Sequence, residues 1–265
     1  MRFLKSLFKF LIIILVVIIL AAGLSFYYLR ANFYDIPVLM YHNISPPDEG
    51  NMANVTPEVF KEQMAFIADN GYKVIGPDEY LDYLAGKKPI KKNLVMITFD
   101  DGYENNYTYA FTVLKEHGFK AVIFAVVDKI DREGYLSVPQ IREMQAAGIV
   151  FGSHTLNESY LPALSEEEIK KEVGVSKVKL TQLTEESVDY FAYCTGGFTK
   201  RAQEIIQNEG YLIAFTTNRG LDKDWLNDDC YAIRRIKVTN RDNWFKLWAK
   251  LTGIYNLFRD VEDPY

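Results

Sequence analysis

A chain of 265 residues, 49% of them apolar, is long enough for one large α/β domain or two small ones and can bury a sizeable core. Its 35 acidic and 30 basic residues leave a net charge of −5 with no basic stripe, which argues against nucleic acid as a partner. Two cysteines, Cys194 and Cys230, make neither a disulfide framework nor a zinc ribbon and read as ordinary buried thiols.

The first element is FLIIILVVIILAAGLSFYYL, Phe10 to Leu29, which is 20 residues without a charge. At about 1.5 Å per residue it crosses a hydrocarbon core of roughly 30 Å. Arg2, Lys5 and Lys9 precede it, so the positive-inside rule keeps residues 1–9 in the cytoplasm and sends residues 30–265 across the membrane. Tyr27 and Tyr28 suit the far interface. The expectation is a single-pass membrane anchor over residues 10–29 with an extracytoplasmic domain behind it. The alternative is a cleaved signal peptide, with Ala21, Ala22 and Gly23 as its small-residue cluster. Such peptides carry a shorter apolar region, about 7 to 15 residues.

After the anchor, IPVLMYHNI reads as a strand ending in a loop. TPEVFKEQMAFIADNGY is a helix with Thr56 as N-cap, Pro57 at its first position, Phe60, Met64 and Ile67 on one face, and Gly71 past its end. YKVI, NLVMITF, KAVIFAVV, IVFGSH, VDYFAY and LIAFTT read as strands. PDEYLDYL, YAFTVLKEH, VPQIREMQAA, SEEEIKKEVGVSKVKLTQL and KRAQEIIQNEG fall between them as helices, the fourth opening with a Ser165 to Glu168 capping box. Such alternation implies parallel strands joined by helical crossovers, and six or seven units in about 230 residues favour a distorted (β/α) barrel of about seven strands over an open sheet. The expected organisation is one such domain behind the transmembrane helix.

In α/β barrels the chemistry sits at the C-terminal ends of the strands. The polar residues just beyond the apolar runs are His42, the pair Asp100 and Asp101 of ITFDDGY, and His154. Adjacent aspartates on an extended backbone point in different directions, so one can bind a metal while the other faces a reacting atom. A nearby cation also removes the like-charge penalty between them. His117, in the last turn of a helix, suits the C-terminal dipole and reads as structural. Asn105, Asn106 and Tyr107, after the aspartates, are in position to line a sugar groove, though polar residues after a turn are usually only solvated.

Together ITFDDGY, GSHTLNESYLPALS, FAYCTGGF and PVLMYH resemble the polysaccharide deacetylases of carbohydrate esterase family four, over roughly Ile36 to Lys237. The resemblance implies that Asp100 is the general base and that Asp101 and His154 bind a divalent metal, zinc first, with cobalt or nickel as alternatives. LMYH, Leu39 to His42, resembles the circularly permuted members whose general-acid histidine comes early, which makes His42 the acid. Similar sequences carry a second histidine four residues after the first, where this chain has Glu158. As third ligand, Glu158 would make the ion a weaker Lewis acid; otherwise it is a loop residue. In the third motif Cys194 and Thr195 replace the usual Pro and Tyr. The backbone N–H of Thr195 can still receive an oxyanion, but an aromatic wall for the sugar is lost there. Tyr103, Asn106, Tyr193 and Gly196 are the expected substrate contacts. The implied reaction is hydrolysis of N-acetyl groups on an N-acetylhexosamine polysaccharide. Against it stand a catalytically silent relative that binds glycan or a partner and, more remotely, a metal phosphohydrolase built on the paired aspartates.

Overall fold

Past the N-terminal apolar helix, the apolar runs become strands and the amphipathic runs helices. The computed structural model of the chain describes residues 2–47, 53–217 and 229–258. Helix α1 (Arg2–Asn32) carries the uncharged segment, none of it buried by the rest of the protein; among the described residues it alone is long and apolar enough to cross a membrane. The chain continues through β1 (Val38–Tyr41), the short pair β2 (Asn43–Ile44) and β3 (Asn54–Val55), α2 (Pro57–Asp69), β4 (Lys73–Val74), α3 (Pro77–Leu84) and β5 (Leu94–Phe99). A π-helical stretch, Asn106–Phe111, leads into α4 (Thr112–His117), and β6 (Val122–Ala125), α5 (Val138–Ala146) and β7 (Val150–Ser153) follow. Helices α6 (Glu166–Lys170) and α7 (Ser176–Thr184) are joined by a second π-helical stretch, Lys171–Val175, where the sequence reads as one helix. The remaining elements are β8 (Tyr190–Ala192), α8 (Lys200–Asn208), β9 (Ile213–Thr216), β10 (Ile233–Arg234), β11 (Ile236–Lys237) and α9 (Trp244–Leu251).

The strand order is β10-β9-β8-β7-β6-β5-β1-β11, every pair parallel, with β4 beside the start of β5. The ends of this list are two halves of one extended segment. Ile233 and Arg234 pair with Phe215 and Thr216 of β9, and Ile236 and Lys237 pair with Leu39 and Met40 of β1. Arg235 between them donates its N–H to the Thr216 carbonyl at 3.0 Å. Segment 233–237 thus bridges the two edges and brings the parallel sheet nearly to closure as the barrel that the alternation predicts.

Both faces of the strands are buried, which is why the runs are continuously apolar rather than alternating. Val38, Met96, Val122, Phe124, Phe215 and Ile233 cluster on one side. Leu39, Tyr41, Val95, Ile97, Phe99 and Ile123 face the helices on the other, against Phe60, Met64 and Ile67 of α2 and Ile141 and Met144 of α5. The expected caps form: the Thr56 side chain accepts from Val59 N, and Ser165 and Glu168 make a reciprocal capping box. Helix α1 joins the barrel at the N-terminal end of the strands. Just past its end, Tyr34 donates its hydroxyl to the carbonyl of Leu94, first residue of β5, and the Asp35 N–H reaches the Gly253 carbonyl at 2.7 Å.

Candidate active site

At the opposite end, three strands deliver His42, Asp100 with Asp101, and His154 to one place, as the sequence anticipates. Asp101 and Gly102 take left-handed backbone (φ 70° and 72°), so the two carboxylates leave β5 in different directions. A side chain on Gly102 would press on Ala125, its Cβ 3.2 Å from that residue's Cβ. The His42 Nε2 lies 4.0 Å from Asp100 Oδ2, and the His154 Nε2 lies 3.7 Å from Asp101 Oδ1.

Asp100 has a partner that sequence reasoning missed. Arg235, wholly buried, makes a two-pronged contact with it, Nη1 to Oδ1 at 2.5 Å and Nη2 to Oδ2 at 2.7 Å. Burial alone would raise the Asp100 pKa, but the guanidinium, then His154 and His42, outweigh it and hold the carboxyl below its ordinary value. Asp101 moves the other way, raised chiefly by burial. Burial lowers the pKa of His42, against the pull of the two aspartates. For His154 burial is outweighed by Cys194 and the aspartates, and its pKa is pushed up to about 10.

Several buried polar groups fix these side chains. Asn106, expected to face substrate, is instead fully buried and donates its amide to the His42 carbonyl at 2.8 Å, while Asn105 accepts from Ile44 N at 3.1 Å. Both sit where the chain enters the first π-helical stretch. Glu172, in the second π-helical stretch, accepts the N–H groups of Leu156 and Asn157, each at 3.0 Å, and so pins the loop after His154. Thr155 in that loop holds φ 65°, costly for a β-branched residue, and its hydroxyl accepts from Ser159 N at 3.1 Å.

Tyr193 does not line a groove. It is completely buried against Phe191 and Phe198, with its hydroxyl donating to the Tyr231 carbonyl at 3.0 Å, because it turns into the apolar cluster shared with Ala202, Ile205 and Ile206 of α8. Thr195 is exposed at φ 56°, followed by Gly196 at φ 82°. A Cβ on Gly196 would stand 1.8 Å from Thr217 Oγ1, so this turn requires glycine. Tyr103 is half-buried and stacks on Tyr135 with ring centroids 5.3 Å apart. Tyr160, 42% exposed, comes so close to Gly197 that a Cβ there would fall 2.2 Å from its ring, which brings an aromatic back beside the third motif.

The fit to a divalent ion can be judged from the donors. The His154 Nδ1 contacts the Ala192 carbonyl at 2.8 Å, which orients the ring with Nε2 toward Asp101, an arrangement suited to metal ligation. Asp101 and His154 therefore fit an ion between them. Glu158 is turned elsewhere: its carboxylate pairs with the Lys129 ammonium, which also lies 5.0 Å from the centre of the Tyr135 ring. Among the described residues no three His, Cys, Asp or Glu side chains gather as a complete metal set.

Comparison with known proteins bears on the family and the fold. The family model described as polysaccharide deacetylase matches residues 87–214. YxkH of Bacillus subtilis, named for the polysaccharide deacetylases, is 32% identical over 204 residues, 77% of this chain and 71% of its own length. The poly-β-1,6-N-acetyl-D-glucosamine N-deacetylase of Escherichia coli is 26% identical over 248 residues, covering 76% of this chain but only 36% of that enzyme. Among solved structures, the Streptococcus pyogenes deacetylase PplD in complex with acetate superposes with a TM-score of 0.76 at 26% identity, covering 82% of this chain and 97% of that one. IcaB from Ammonifex degensii gives 0.73 at 27% identity, covering 83% and 97%.

Proposed function

Because this chain belongs to the polysaccharide deacetylase family, we propose that it hydrolyses N-acetyl groups on an N-acetylhexosamine polymer outside the cytoplasmic membrane, held there by α1 as an uncleaved anchor. The observation that carries this reading is the buried Asp100, clamped by Arg235, 4.0 Å from His42 and next in the chain to the Asp101 and His154 pair. The relatives that act on poly-β-1,6-N-acetylglucosamine make a polymer of that type the favoured substrate.

Asp101 and His154 would hold a divalent ion, zinc or else cobalt or nickel, whose contribution when bound is Lewis acidity toward the acetyl carbonyl. Asp100, kept anionic by Arg235, accepts the proton of the attacking water. His42, whose Nε2 faces Asp100 Oδ2, delivers a proton to the departing amine as the carbon–nitrogen bond breaks. The Thr195 N–H is assigned to the developing oxyanion. Tyr103 and Tyr160 are assigned to the sugar, Tyr160 lying against Gly197 in the turn that follows Thr195. Asn106 and Glu172 act from behind, holding the His42 and His154 loops.

One observation favours a second reading, a silent relative that binds glycan without turnover: the Glu158 carboxylate is occupied by Lys129, which leaves Asp101 and His154 without a third protein ligand among the described residues. Acetate release from an acetylated glucosamine oligomer by zinc-loaded protein separates the two. Asp100→Asn should abolish release with bound metal nearly unchanged, while Asp101→Asn should lose both. Equal metal loss in the two variants would mean the aspartate roles are wrongly assigned, and no release by the loaded wild type would leave the silent reading standing.

A further inference from the structure

Helix α9 presents an aromatic face that the barrel leaves uncovered. Leu247, Lys250 and Leu251 turn inward, whereas Trp244 is 69% exposed, Phe245 56% and Trp248 38%. Positions 244, 245 and 248 share one side of a helix, since residues four apart stand one above the other. Three large exposed aromatics in so short a stretch form a contiguous apolar patch, the kind of surface that marks an interaction site.

What adjoins the patch identifies its partner. Phe26 of α1 stacks on Trp248 with ring centroids 5.9 Å apart, and Phe245 stacks on Trp248 at 5.8 Å, so the face of α9 runs directly into the apolar surface of α1. The level matters as much as the contact. Phe26 stands about 24 Å along the helix from Phe10 at 1.5 Å per residue, within the last ~6 Å of a core about 30 Å thick. Trp248 therefore lies at the depth of Tyr27 and Tyr28, where tryptophan and tyrosine rings concentrate at a membrane interface. The bond from Asp35 N–H to the Gly253 carbonyl, just beyond α9, ties this helix to the anchor's exit from the bilayer. An amphipathic helix with aromatics on one face suits the boundary between headgroups and acyl chains.

We infer that α9 rests its Trp244, Phe245 and Trp248 face in the outer headgroup region of the bilayer that α1 crosses, so that the barrel is docked on the lipid surface as well as tethered to it. This rests on the reading of α1 as an anchor. A second copy of the chain is the competing occupant, disfavoured because the patch sits at lipid depth.

The test uses the full chain reconstituted into phosphatidylcholine vesicles, with and without lipids brominated near the top of the acyl chains. The Trp225→Phe variant leaves Trp244 and Trp248 as its only tryptophans. Their emission should shift to the blue and be quenched by the brominated lipid. In a control that does not depend on Trp225→Phe folding, the double variant Trp244→Phe, Trp248→Phe should show a clearly smaller fractional quenching than wild type. Unquenched emission from Trp244 and Trp248, or equal fractional quenching of wild type and double variant, overturns the inference. A blue shift without quenching in a chemically cross-linkable dimer also overturns it, by placing a second copy on the face. Washing the same vesicles with alkaline carbonate separates the two readings: protein retained but unquenched refutes only the docking, whereas protein released refutes the anchor and the docking with it.

Discussion

Arg235→Met tests the buried ion pair on which the Asp100 assignment depends. Arg235 is 0% exposed and Asp100 2%, and two short bonds join them, so removing the cation leaves a buried carboxylate without its neutralising partner. Breaking a buried pair from one side costs about 3–5 kcal/mol. Removing both charges is far milder, so Asp100→Asn combined with Arg235→Met should recover most of that loss, a coupling of about 3 kcal/mol in a double-mutant cycle. The assay is urea unfolding in mild detergent, with chelator present so that metal does not contribute. The pH dependence gives an independent sign. In wild type the folded pKa of Asp100 is depressed, so the pair's contribution is present above the unfolded value, about 3.9, and is lost as pH falls through the folded one. In Arg235→Met burial no longer meets the arginine's opposition, the folded pKa rises above the unfolded value, and the deficit should shrink on acidification toward pH 5. Acetate release at neutral pH should fall steeply, because the arginine no longer holds the carboxylate anionic and in place. Additive losses in the cycle, or a loss below about 1 kcal/mol with no pH dependence, would refute the reasoning.

Lys129→Met releases Glu158 from a half-exposed pair worth at most about 1 kcal/mol, so if Glu158 is a metal ligand, zinc affinity measured by competition with a chromogenic chelator should rise up to about fivefold; unchanged affinity would show that Glu158 takes no part. Asn106→Ala removes the donor to the half-buried His42 carbonyl, for a loss of about 1 kcal/mol seen as a lowered Tm, and kcat should fall more than KM rises because His42 shifts while the groove does not. A variant with wild-type Tm and kcat would remove Asn106 from the support of the site.

The barrel was legible because its strands are buried on both faces and its helices on one, a contrast that apolar runs and 3.6-residue periodicity record directly. The site was legible where a single side chain follows a strand: His42, Asp100, Asp101 and His154 needed only the rule that strand ends face one way. Arg235 was not, since β10 and β11 are two residues each and too short to show a pattern, and its partner lies 135 positions earlier. A pair of arginines, Arg234 and Arg235, between isoleucines in AIRRIKV was the available signal, because a buried cation requires a buried anion. Glu172 was hidden in a charge-rich stretch that reads as a solvated face, and only the π-helical stretch at Lys171–Val175 distinguishes it from its exposed neighbours. Asn106 and Tyr193 misled for a related reason: polarity after a turn, or an aromatic after a strand, does not reveal which way the side chain points.

Because the strands of the barrel run parallel and α1 joins them at their N-terminal end, the mouth of the barrel opens away from the end that the anchor holds. The extended run from Ile36 to His42 sets the offset, at most about 20 Å at 3.3 Å per residue. With α1 in the bilayer, this gives the protein a fixed working height. On the proposed activity, acetyl groups on a polymer lying flat against the lipid would be out of reach, and those on a strand standing off or leaving the surface would pass the opening. Lengthening the connection between α1 and β1 would change which layer of the polymer is edited without altering the chemistry at the mouth.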